Sequence, residues 1–118
     1  MPIEPFDFYR FAINLYESHE SEIDSRVIIG RAYYSAFLYA RDSAGLSSKG
    51  SNGHQQVINY YKNLKDPTSR YVANAIDNLR AYRQDSDYEM SKIIPLKDVG
   101  SALSTSKKIL ETLGCKVD

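Results

Sequence analysis

The chain has 118 residues, 42% of them apolar and 25% charged, with fifteen basic and fifteen acidic side chains cancelling at neutral pH. That length fits one domain with its own core, and the balanced charge argues against holding long nucleic acid by bulk electrostatics, which needs many phosphates neutralised. No apolar run approaches the roughly 20 residues of a membrane span, and the acidic opening MPIEPFDFYR lacks the basic and then apolar stretch of a secretory signal, so a cytoplasmic location is expected. A lone Cys115 with only His19 and His54 beside it leaves no internal disulfide and no zinc spacing, so neither metal nor cofactor is expected.

The periodicity is helical throughout, without strand-like alternation. A first helix starts at Pro5 and places Phe8, Phe11, Ala12 and Leu15 on one face, until the polar stretch Glu17 to Ser21 interrupts it. The second helix runs from about Glu22 to Ala44 and is stopped by Gly45. Its apolar residues Ile28, Ile29, Ala32, Tyr33, Ala36, Phe37, Tyr39 and Ala40 cover most directions around the axis, which places it at the centre of a bundle. A glycine-rich loop, Ser47 to Gly53, leads to a short helix from His54 to Lys62 with Val57, Ile58 and Tyr61 inward. Asp66 and Pro67 form a cap and first-turn pair for a fourth helix reaching about Tyr88, with Val72, Ile76 and Leu79 on its inner face. After Pro95, the spacing of Leu96, Val99, Leu103, Leu110 and Leu113 predicts a last helix that Gly114 ends. The expected fold is all-α: one domain over residues 1–118, an up-down antiparallel bundle of four main helices and one short one.

Some residues break this pattern. Val27, Arg31, Tyr34 and Leu38 share a narrow stripe of helix two, and Arg83 falls on the Val72, Ile76, Leu79 stripe of helix four with Arg80 and Asp87 beside it. One reading is structural: Arg83 pairs with Asp87 at i, i+4, and Arg31 finds a carboxylate or backbone carbonyls inside the bundle. The other is a phosphate-binding cleft in which Arg80 and Arg83 supply forked donors. Tyr33, Tyr34, Tyr60, Tyr61, Tyr82 and Tyr88 either stack bases next to these cations or serve as core aromatics. His54 is either a general acid or base or a loop residue at a helix start. Nucleotide phosphate loops, dinucleotide fingerprints, zinc-protease motifs and a Ser-His-Asp arrangement are absent, and Cys115 reads as incidental.

SRVIIGRAYYSAFLYARD, at Ser25 to Asp42, resembles the second helix of prokaryotic HEPN domains; GSNGHQQVINYY is similar to that family's loop and His-led short helix, and NLRAYRQDSDY to its Leu-Arg-x-x-Arg-x-x-x-Asp-Tyr signature. The resemblance spans about residues 8 to 113. It implies an up-down bundle that dimerises, is often encoded beside a nucleotidyltransferase-type partner or in toxin-antitoxin and anti-phage loci, and in its catalytic members cleaves RNA without metal through an Arg-x4-6-His motif. That motif fails in this chain: counting from Arg83 the histidine falls at Tyr88, Glu89 or Met90, and from Arg80 at Asp85, Ser86 or Asp87. The resemblance therefore carries over Arg31 and Tyr34, and Arg83, Asp87 and Tyr88, as signature positions of the Arg-x-x-x-Asp-Tyr branch. Three functions stand open at this stage. They are a dimeric, non-catalytic or weakly catalytic module that binds a nucleotide, RNA or a partner protein using Arg31, Tyr34, Arg80, Arg83, Asp87 and Tyr88, a ribonuclease toxin using Arg83 with Asp87 or His54, and a structural dimeric interaction protein. An unperturbed carboxylate, with a pKa near about 4, is a weak base for a ribose hydroxyl, which favours binding or structure over catalysis.

Overall fold

The computed structural model describes residues 2–47 and 52–117, so most of the glycine-rich loop, residues 48–51, lies outside the described residues. The fold is an all-α bundle: α1 (Pro5–Glu17), α2 (Glu22–Ser43), α3 (Gly53–Asn63), α4 (Pro67–Tyr88) and α5 (Leu96–Thr112). No helix among the described residues is long and apolar enough to cross a membrane.

Local chemistry sets the helix ends. Asp66 accepts the Ser69 N–H at 2.8 Å and its hydroxyl at 2.9 Å, which caps α4 ahead of Pro67. Gly45, at φ 73°, and Gly114, at φ 96°, take the left-handed conformation that closes α2 and α5. At each end two reverse hydrogen bonds follow, Gly45 N–H to Asp42 and Leu46 N–H to Arg41, then Gly114 N–H to Glu111 and Cys115 N–H to Leu110. This is the paired pattern of a Schellman stop.

α2 is the central element and packs against all four other helices. Ile28, Ile29, Ala32, Tyr33, Ala36 and Ala40 are buried all around it, as an apolar circumference requires. Small residues let α5 approach: Ser106 donates its hydroxyl to the Ala32 carbonyl at 2.8 Å. α3 is the shortest helix and turns Val57, Ile58 and Tyr61 inward, with the Tyr61 hydroxyl donating to the Ala40 carbonyl at 2.8 Å. Val72, Ile76 and Leu79 of α4 and Val99, Leu103 and Leu110 of α5 join the same buried cluster.

Two expectations are corrected here. In α1 the inward residues are Tyr9 and Ala12, while Phe11 is 54% exposed, so the helix is turned by about one position from the face read off its phenylalanines. The interior arginine is Arg26 rather than Arg31. Its guanidinium donates to the carbonyls of Ser86 and Glu89, each at 2.9 Å, to the Lys92 carbonyl, and to the Glu22 carboxylate at 3.1 Å. Glu22 in turn accepts the Ile94 N–H at 3.0 Å. α4 has no glycine to close it; Arg26 reaches across from α2 to satisfy its last carbonyls and fixes the link to α5.

Candidate functional site

The site is built where α1, α2 and the second half of α4 meet. Tyr33 and Tyr34 are consecutive on α2 and diverge by a helical step, their rings 5.5 Å apart and edge to face. Arg83 of α4 lies over both, with its guanidinium carbon 5.4 Å from the Tyr33 ring centre and 5.0 Å from that of Tyr34. Arg31 covers Tyr34 from its own helix at 5.4 Å and faces Phe8 of α1 at 5.8 Å. The outcome is a ladder that alternates cation and ring, Phe8, Arg31, Tyr34, Arg83, Tyr33, across three helices. Each step sets a guanidinium over an aromatic ring at cation–π distance, and apart from the Arg83 Nε that Asp87 accepts, no N–H of Arg31 or Arg83 has an acceptor among the described residues.

Hydrogen bonding among these cations is sparse. Arg83 donates from Nε to the Asp87 carboxylate at 3.0 Å, the i, i+4 pair expected from the spacing. Arg31 and Arg80 are half-buried, and among the described residues neither has an ion pair or a hydrogen-bond acceptor. The expectation that Arg31 finds a carboxylate or carbonyls inside the bundle is thus corrected: its neighbours are aromatic rings.

Behind Arg80 and Arg83 runs a polar chain, buried at Tyr33 and His54 and open to solvent at Asp77. The His54 ring sits at the start of α3, stacked on Phe37 at 6.2 Å. Its Nδ1 is 2.8 Å from the Tyr33 hydroxyl and its Nε2 is 3.2 Å from the Asp77 carboxylate of α4. A carboxylate only accepts, so Nε2 carries the proton and the Tyr33 hydroxyl donates to Nδ1; a neutral imidazole satisfies every member. Burial holds the His54 pKa below its ordinary value, with the charges of Arg80 and Arg83 adding to that and the contact with Asp77 opposing it. Burial likewise pushes the Tyr33 phenol up to about 12, against the pull of Arg83 and Arg80. Both groups are therefore neutral near pH 7 and act as a fixed scaffold beneath the arginines.

The chain is 32% identical to the uncharacterized protein MJ0628 of Methanocaldococcus jannaschii over 114 aligned positions, covering 80% of this chain and 69% of that protein. It belongs to the family of that protein. No protein-family model and no solved structure matches the chain.

Of the residues singled out from sequence, the fold brings Arg31, Tyr34, Arg83 and Asp87 into one site and sets Arg80 beside His54 and Tyr33. Tyr88 stands apart, 71% exposed at the end of α4. Tyr60 and Tyr61 pair with each other at 5.0 Å on α3, and Tyr82 lines a different groove between α4 and α5. Asp77 was missed by sequence reasoning. Its only signal was its place one turn before Arg80, three residues earlier on the same face of α4. Cys115 is half-buried near Tyr39, remote from the ladder. Among the described residues no cluster of His, Cys, Asp and Glu is arranged to hold a metal ion.

Proposed function

We propose that this protein is a HEPN-like module that binds a nucleotide or single-stranded RNA through the face formed by Arg31, Tyr34, Arg80 and Arg83. The observation that carries the reading is electrostatic. In a chain of zero formal net charge, three half-buried guanidiniums lie around Tyr33 and Tyr34; Asp87 pairs with Arg83 and Asp7 borders the same groove as Arg31, but Arg31 and Arg80 have no ion pair among the described residues. Arg31 and Arg80, kept partly out of water without acceptors, and the remaining N–H groups of Arg83 suit an anion, since forked arginine donors fit phosphate oxygens. The rings between them suit stacking against bases.

Recognition is favoured over cleavage by the same geometry. A metal-independent ribonuclease using Arg83 with Asp87 or His54 needs an effective base, but both ring nitrogens of His54 are occupied, and a carboxylate such as Asp87, already paired with Arg83 through Oδ2, is a weak base for a ribose hydroxyl. The HEPN resemblance extends the proposal to a cytoplasmic homodimer acting with a nucleotidyltransferase-type or antitoxin partner, in a toxin-antitoxin or defence setting.

Fluorescence anisotropy with short labelled RNA tests it, on wild type and Arg83→Ala, with the RNA run on a gel afterwards. Losing one charged phosphate contact should weaken binding by about tenfold or more while the RNA stays whole. Equal binding by the variant, or none by wild type, would remove the basis of the proposal.

A further inference from the structure

Gly30 lies well inside α2 with ordinary negative φ, a position where glycine is among the least favourable residues. Packing does not ask for it: a Cβ built there meets no atom of a neighbouring element within 4 Å. A glycine that neither turns the chain nor lets a neighbouring helix approach keeps a space open for something else.

That space is the floor of a groove of about 330 Å³ between α2 and the end of α4. Its walls are Ile23, Val27, Tyr34 and Met90, and its polar rim includes Arg31 and Asp87. Arg26 also borders it, but its N–H groups are committed to carbonyls of the α4 end. Apolar walls with a few placed polar groups are the general form of a small-molecule subsite. The rim then decides what enters. A carboxylate accepts hydrogen bonds only and offers about four lone-pair positions. Arg83 uses one, at Oδ2, while Oδ1 of Asp87 has no partner among the described residues.

We infer that this slot takes a guanine base, whose N1–H and N2 amine donate side by side to the Asp87 carboxylate while the attached phosphate lies against Arg31. The inference rests on the nucleotide- or RNA-binding reading above and names what that site selects. Guanine is the base whose pairing edge sets two donors next to each other. Adenine and cytosine present one amine beside an acceptor nitrogen, and uracil presents one donor between two carbonyl oxygens. Each of these places an acceptor against a carboxylate that cannot donate.

The test is anisotropy with labelled hexauridylate and the three versions carrying one central guanine, adenine or cytosine, on wild type, Asp87→Asn and Gly30→Leu. Wild type should bind the guanine version about tenfold more tightly than the others. Asp87→Asn should reduce that preference to less than about threefold, and Gly30→Leu should abolish it by filling the slot, with thermal stability unchanged or raised. Equal binding of all four RNAs by wild type would overturn the guanine assignment and leave the RNA-binding reading standing, whereas binding of none would overturn both. A preference that survives Asp87→Asn also overturns the assignment. So does a Gly30→Leu protein that keeps the preference but changes its oligomeric state in size-exclusion chromatography, which would give the slot to a second copy of the chain.

Discussion

Replacing Arg26 with Met should destabilise this protein more than any other single change of a charged residue. The side chain is 9% exposed and donates to three main-chain carbonyls and to Glu22. The Glu22 pair contributes little by itself, because that carboxylate is 40% exposed and rehydrates when released. The Ser86 carbonyl is different: its bond to Arg26 is buried, and an orphaned buried acceptor costs about 1 to 3 kcal/mol. The Glu89 and Lys92 carbonyls are partly buried, and about 0.5 kcal/mol each allows for the water that replaces the guanidinium. The total is about 3 kcal/mol, or on the order of a 12 °C fall in Tm for a domain of this length. Urea unfolding followed by circular dichroism should show the loss as a lower midpoint with unchanged slope. Added salt should restore little of it, since these bonds are shielded from solvent ions. A loss under about 1 kcal/mol would refute the claim that Arg26 holds the end of α4.

Two further outcomes follow from the same geometry. His54 is held neutral by burial, with a folded pKa below its ordinary 6.5, so the unfolded chain binds the extra proton first as pH falls. Its stabilising effect is complete above about pH 6.5 and declines below that through the folded pKa. Unfolding free energy measured between about pH 7.5 and 5 should therefore fall more steeply for wild type than for His54→Gln, and parallel curves would contradict the neutral assignment. Lys65 sits at φ 60° between α3 and α4 without being glycine. Lys65→Gly should raise stability by a few tenths of a kcal/mol or up to about 1 kcal/mol in chemical denaturation, and a loss would mean the strain is relieved by a contact of the lysine.

Sequence reasoning reached the helices because their boundaries are written in local chemistry. Asp66 with Pro67, and Gly45 and Gly114, act within one turn of their own positions, and the periodicity of α2 follows directly from its being surrounded. The face of α1 was misread because Phe8, Phe11 and Tyr9 are all bulky and apolar enough to mark a core face. The tertiary packing of α1 against α2 and α5 buries Tyr9, sets Phe8 against Arg31 and Tyr34 and leaves Phe11 out, and no local rule orders them. Arg31 and Arg83 stood out as cations on apolar stripes, and the fold places both against tyrosine rings. Arg26 escaped notice because three of its acceptors are backbone carbonyls 60 or more residues away, which no side-chain pattern records, and its i, i+4 spacing to Glu22 alone looks like an ordinary surface pair. The Asp77 contact to His54 spans 23 residues and two helices, and Gly30 shows its meaning only once the surrounding atoms are in place.

The central claim is that Arg31, Arg80 and Arg83 form a built phosphate-binding face. The salt dependence of affinity for a short single-stranded RNA tests it most directly, in wild type and in single alanine variants of the three arginines. For single strands each phosphate neutralised contributes about 0.7 to the slope of log affinity against log salt. Wild type should show a slope of about 2 in magnitude, and each variant should lose about 0.7 of it while keeping its fold. A wild-type slope near zero, or one that all three variants leave unchanged, would contradict the account.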